Sequence, residues 1–216
     1  MSEITKQDVE SWLATVNYGD DKGYIPSDFA LEFITFIKLV NGDEGEENLS
    51  PVLHYKILDN IAGKKQNIAN LIFRGAAKTT LLGEYLFLYI AVYGAIPGFG
   101  KVPLAVYVSD SIENGVKNMR KNLEYRLHNS DFLQLYIDMD KCRFTDIRWE
   151  FQNKNGNIFI VKGYGAKTGI RGSKEMGTRP GLAILDDLVS DEDARAATVI
   201  ACIKDTVCKD VVYALY

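Results

Sequence analysis

The sequence predicts an α/β fold, a mainly parallel sheet flanked by helices, with a small N-terminal helical subdomain. From Asn67 onward short apolar runs alternate with helical patterns, the signature of a parallel sheet carrying helices on its faces. Before that point only amphipathic helical spacing occurs. The two styles are separated by "NGDEGEENLSP", Asn41 to Pro51, an acidic, turn-rich stretch that reads as a solvated loop. With 216 residues, 47% of them apolar, the chain is long enough to bury a sizeable core.

Taken in order, Lys6–Val16 and Ser27–Val40 are expected helices. The second places Phe29, Phe33, Ile37 and Val40 on one face behind a Ser27 cap. A third helix ends near Ala62. The expected division is therefore a helical subdomain over 1–63 and an α/β core over 64–216. In the core, "NIANLIF", "VPLAVYVSD" and "GLAILDD" read as strands, and Thr79–Tyr93, Ser111–His128 and Asp191–Val211 as helices. "IRWEFQNKNGNIFIVKG" holds two strand-forming runs around Asn155-Gly156, a strong hairpin signal.

The net charge of -4 and pI near 5.3 argue against coating nucleic acid through the overall field, leaving only a regional basic face for such contacts. Cys142, Cys202 and Cys208 are too few and too irregular for a zinc knuckle or a disulfide framework, and read as reduced thiols of a cytoplasmic protein. The charged start, "MSEITKQDVESW", lacks the apolar segment of a secretory signal. Tyr85 to Ile96, the longest apolar stretch, falls short of the ~18 residues of a membrane span.

"LIFRGAAKTTLLGEYLF", Leu71 to Phe87, joins an apolar strand to an apolar helix through Arg74-Gly75-Ala76-Ala77-Lys78-Thr79. The phosphate-binding pattern G-x-x-x-x-G-K-[ST] would need glycine where Ile72 and Ala77 stand. Small residues at Gly75, Ala76 and Ala77 still let backbone amides, up to Thr80 at the helix start, approach phosphate oxygens. Lys78 is the candidate partner of the β and γ phosphates, and the Thr79 hydroxyl a candidate magnesium ligand. Arg74, four residues before the lysine, is placed to neutralise charge on a γ-phosphate. A bland alternative has both cations solvated at a helix start.

Over a hundred residues later, Leu182–Leu185 forms an apolar run ending in Asp186-Asp187. An acidic pair at a strand's C-terminal edge suits nucleotide hydrolysis, with Asp186 the candidate magnesium ligand and Asp187 the candidate base for the attacking water. Glu192 is a second candidate base, or a partner for the next helix dipole. Alternatively the pair terminates a strand. Together the two motifs point to a P-loop NTPase using ATP and Mg2+.

At this point the residues resemble the ATPase domain of tailed-bacteriophage terminase large subunits, from about Leu49 to Ala194. Their phosphate loops are similar in lacking the outer glycine and carrying a basic residue ahead of the lysine, which implies a catalytic role in cis for Arg74. "GYGAKTGIRGSKEMGTRPGLAILDD" resembles the family's Gly-rich, Ile-Arg-Gly, Arg-Pro lead-in to its Walker B strand, with Gly181 where members commonly have aspartate. "LSPVLHYKILDNI" sits where the family recognises adenine, with His54 replacing the usual glutamine; an ordinary helix histidine is the alternative.

The resemblance implies a RecA-like core and ATP-driven translocation of double-stranded viral DNA into a prohead. It also implies a portal protein and a small terminase subunit as partners, a homo-oligomeric ring when active, and residence in the host cell cytoplasm. The family's coupling motif is not recognisable here and its nuclease domain is expected beyond these residues, so the chain reads as a fragment. Lys167, Arg171 and Lys174, in the glycine-rich loop, are candidate DNA contacts, with Arg171 alternatively a finger for a neighbouring subunit. Lys117, Arg120, Lys121 and Arg126 on one helix read more simply as a solvated face. The rival functions are a helicase-type ATPase and a nucleotide-binding assembly module with little turnover.

Overall fold

Ser27 begins the first described helix. Its hydroxyl accepts the Ala30 amide at 3.2 Å and so caps α1 (Asp28–Asn41), satisfying an amide that has no partner within the helix. The Ser27 amide and hydroxyl both donate to Asp59, at 2.9 and 2.6 Å, and Tyr24 donates to the same carboxylate. Asp59 lies on α2 (Val52–Ala62), so one side chain ties the two helices together. Between them Phe29, Phe33, Ile34, Phe36, Tyr55 and Leu58 are buried. The buried stripe of α1 is broader than the expected one, taking in Ile34 and Phe36 while Ile37 stays half-buried.

The computed structural model describes residues 23–42, 50–63, 67–168, 170, 173–175, 177–190 and 192–215. The expected helix Lys6–Val16 lies outside them. The chain divides into two units, Met1–Leu71 and Ile72–Tyr216, a few residues beyond the expected 63/64 boundary.

Within the second unit a widened π-type turn, Thr80–Tyr85, leads into α3 (Leu86–Tyr93). Gly94, at φ 76°, ends the helix with its amide on the Ile90 carbonyl, 2.7 Å away, a left-handed stop that glycine makes without steric cost. A minor hairpin of β1 (Ala95–Ile96) and β2 (Gly100–Lys101) follows, then β3 (Leu104–Ser109). Ser111 caps the next helix by accepting the Asn114 amide; a π-type turn, Ile112–Val116, opens it and α4 (Lys117–Asn129) completes it. After α5 (Asp131–Tyr136) come β4 (Arg143–Phe144), β5 (Arg148–Gln152), β6 (Ile158–Gly165) and β7 (Leu182–Leu185). The chain closes through α6 (Ala197–Asp205), a π-type turn (Thr206–Val211) and α7 (Val212–Ala214).

The five-stranded sheet runs β4-β5-β6-β3-β7. β3 is parallel to β6 and to β7, whereas β5 is antiparallel to β6 and β4 to β5. The sheet is thus mixed rather than mainly parallel, because the Asn155-Gly156 turn folds β5 directly back along β6. The expected strand "NIANLIF" does not form: 67–73 has no regular structure, and Leu71 and Phe73 are 97% and 71% exposed. Its two asparagines, Asn67 and Asn70, are poor strand formers, and an apolar run without a ladder partner has no backbone bonds to hold it extended.

Every residue of β3 is buried, as a strand covered on both faces must be. On one face the Phe87 ring lies 6.1 Å from Tyr107 and 6.2 Å from both Trp149 and Phe159. Gly163 on β6 serves the same face, since a Cβ there would run into the Val116 side chain. On the other face Val106 and Val108 pack with Ala166, Ile170, Ile203 and Val211. The alternation of β3 therefore welds helices to both sides of the sheet.

Phe87 holds the first of these faces together. Phe87→Ala should lower the unfolding free energy by about 3–5 kcal/mol, as for other buried aromatics, measured as a fall in the urea midpoint. An unchanged midpoint would contradict the packing described.

Candidate functional site

β3 and β7 run in the same direction with Ala105 opposite Leu182 and Val108 opposite Leu185. Both strands therefore end at the same edge, where ligands of open parallel sheets are bound. There an open cleft of about 650 Å³ is lined by Arg74, Lys78 and Thr79, by Ser109, Asp110 and Tyr107, and by Asp186, Asp187 and Ser190. Asn114, Asn118 and Asn122, spaced four apart along the helix after β3, form a polar wall.

Arg74 and Gly75 make a turn, Ala76 is buried at 7% exposure, and the helix starts at Lys78. Amides of a first helical turn have no partner within the helix, and together with the helix dipole they favour an anion. Thr80 opens the π-type turn and does not line the cleft. Two residues are unusual in their backbone: Ala77 at φ 52° and Asp187 at φ 43°, the only non-glycine residues with positive φ among those described. Both belong to the site's loops. Such left-handed conformations cost an L-residue roughly 1–2 kcal/mol, and strain of this kind gathers where function fixes the backbone.

Asp186 continues the ladder past β7, its amide bonding the Val108 carbonyl at 2.9 Å. Its carboxylate accepts the Tyr107 hydroxyl at 3.2 Å. Burial first, and then the nearby Asp186 carboxylate, push the Tyr107 phenol far above its ordinary pKa. It therefore keeps its proton and remains a donor. Ser109 donates to Asp110 at 3.3 Å, and Gly115 brings the following helix onto Ser109, because a Cβ there would overlap the serine side chain.

The helix after the loop is fastened to α4 by Glu84, which is 5% exposed. It accepts from Arg126 at 2.5 Å and from Asn122 at 2.9 Å. The Arg126 guanidinium lies over the Tyr85 ring, 4.3 Å from its centroid, and donates to the Tyr85 hydroxyl at 2.6 Å. A buried carboxylate is tolerated when it is paired and hydrogen-bonded in this way.

Arg74, Lys78, Thr79, Asp186 and Asp187 are thus brought to one cleft, and Gly75, Ala76 and Ala77 form the loop beside it. Glu192 is exposed and outside the lining. His54 sits half-buried on α2, in the first unit. Lys167 pairs with Asp193 at 2.5 Å and Lys162 with Glu175 at 2.8 Å; Lys174 is exposed, and Arg171 lies outside the described residues. On α4 Arg120 pairs with Asp146 and Glu124, and Lys117 with Glu113 and Asp146, whereas Arg126 departs from the expected solvated face by pairing with the buried Glu84. Sequence reasoning passed over Tyr107, Ser109, Asp110 and the three asparagines. The polar Ser-Asp at the end of an otherwise apolar strand, on the same edge as the acidic pair, was the available signal.

Among the described residues no group of three or more His, Cys, Asp or Glu could hold a metal ion. Thr79 and Asp186 supply one hydroxyl and one carboxylate to the same cleft. That partial oxygen set fits Mg2+, which ordinarily takes one or two protein oxygens and completes its shell with phosphate oxygens and water. No family model, curated protein or solved structure matches the chain.

The strain at Ala77 is directly measurable. Ala77→Gly should raise the unfolding free energy by about 1 kcal/mol, because glycine adopts the left-handed conformation freely. A fall in melting temperature would show that the alanine methyl contributes more than its backbone costs.

Proposed function

We propose that the cleft is an ATP-hydrolysing site of the P-loop type in a RecA-like core, and that the chain is a DNA-translocating motor domain of the terminase large-subunit kind. The observation that carries the hydrolase reading is the convergence of Arg74, Lys78 and Thr79 with Asp186 and Asp187, from segments more than a hundred residues apart, at the shared end of two parallel strands. The motor reading rests on sequence, on the basic residue before the lysine and on the Gly-rich lead-in to Leu182–Leu185.

In this reading the loop amides and Lys78 bind the phosphates and fix their orientation. Thr79 and Asp186 would hold Mg2+, which when bound supplies charge neutralisation at the phosphate oxygens. Arg74 adds positive charge where negative charge develops on the γ-phosphate. Asp187 takes the proton of the attacking water, and its backbone conformation sets where its carboxylate can reach. Duplex DNA, a prohead portal, a small terminase subunit and ring assembly belong to the motor reading, with exposed Lys174 the candidate phosphate contact among the described loop residues.

Steady-state ATP hydrolysis tests the catalytic roles. Lys78→Ala and Asp187→Ala should each lower kcat by about a hundredfold or more, with Lys78→Ala also weakening nucleotide binding. Parent-like turnover in both variants would remove the assignment. Tight nucleotide binding by the parent without turnover would transfer the site to the assembly-module reading, and strand separation without prohead dependence would transfer it to a helicase.

A further inference from the structure

Tyr107 occupies a place that packing alone does not explain. Its ring is 2% exposed, set 6.1 Å from Phe87 and 6.0 Å from Trp149. Phenylalanine would fill the same space and leave no buried hydroxyl in need of an acceptor. What the oxygen adds is a hydrogen-bonding contact with the Ser109 side chain and, as a donor, the 3.2 Å bond to Asp186 Oδ2. Asp186 is itself only half-buried, so water is available to solvate it. The bond therefore orients the carboxylate rather than rescuing a stranded charge.

The strand register makes that orientation firm. Tyr107 lies opposite Ile184, and Asp186, two residues on, projects from the same face of the sheet. The donor is thus anchored by the aromatic cluster on one side and by the β3–β7 ladder on the other.

We infer that Tyr107 is a positioning residue for Asp186, its hydroxyl engaging one carboxylate oxygen and leaving the other as the oxygen available to Mg2+. This rests on the nucleotide-site reading above. It adds to that reading a residue of β3, without which Asp186 is correctly placed but free to rotate about its side-chain bonds.

The test uses the whole chain and a fluorescent N-methylanthraniloyl ATP, titrated with MgCl2 after measurement in EDTA. Tyr107→Phe is compared with the parent and with Asp186→Asn, and all three are unfolded in urea without ligand. In EDTA the Tyr107→Phe variant should bind the probe within about twofold of the parent, while the Mg2+ concentration giving half of the metal-dependent tightening rises about tenfold, the scale of one hydrogen bond to a charged group. Asp186→Asn should abolish the tightening.

If Tyr107→Phe superimposes on the parent while Asp186→Asn loses its Mg2+ response, the positioning role is overturned and the nucleotide site stands. A lowered urea midpoint with an unchanged Mg2+ titration overturns the role equally, since it makes the hydroxyl merely structural. If Asp186→Asn also responds like the parent, Asp186 is no metal ligand, and the site reading falls together with the inference.

Discussion

The parallel pairing of β3 with β7 is the constraint on which the rest of the second unit depends. Its register, Ala105 with Leu182 through Val108 with Leu185, is extended one rung by the Asp186 amide on the Val108 carbonyl. A slip of one residue would turn Asp186 to the opposite face and away from Tyr107. The same slip would turn Ala183, which packs with Val106 and Val108 against the C-terminal helical segment, to the other face. Position of the acidic pair and integrity of the core are therefore set by one ladder. Neither can change without the other.

Around this ladder the unit combines rigid packing with local strain. The helix after Arg74–Thr79 is fixed through Phe87 to the sheet and through Glu84 to α4. Those attachments lie on the helix that directly follows Ala77, a residue held in a conformation that a free chain avoids. Flexibility is not what the loop has in place of the missing glycine. A held alanine adopts the glycine-like backbone instead, at a cost the surrounding contacts offset.

Much of this was legible in the residues themselves. The Ser27 cap, the Asn155-Gly156 hairpin and the run ending in Asp186-Asp187 each express a local rule, namely amide satisfaction, turn geometry and burial of a short apolar strand, and each appears where it was expected. Asn67–Phe73 has the apolar character of a strand but no ladder partner, and backbone pairing is a non-local property that a short run does not encode. The mixed sheet follows from the hairpin, whose consequence for strand direction was readable but was outweighed by the helix–strand alternation around it. Tyr107 was hidden because a tyrosine in an apolar run reads as core, and only the register brings its hydroxyl to Asp186. Lys167 was read as a candidate DNA contact, and its pairing with Asp193 was not legible because that residue lies on the far side of β7 in sequence. The joining of Arg74, Lys78 and Thr79 to the acidic pair could be anticipated from motif order, whereas their common cleft needed the fold.

The border position of β7 in the sheet has a further effect. Among the described residues its ladder partner is β3 alone, so its other side is an edge able to template addition of a foreign strand. β7 is short, entered through Pro180-Gly181 and left through Asp186-Asp187. Proline, glycine and paired negative charges are the gatekeepers that blunt such edges. The carboxylates that line the cleft thus also discourage edge-to-edge association of one copy with the next. Neutralising them would leave an apolar four-residue border unguarded as well as change the charge of the cleft, so colloidal behaviour and cleft electrostatics are coupled through the same two side chains.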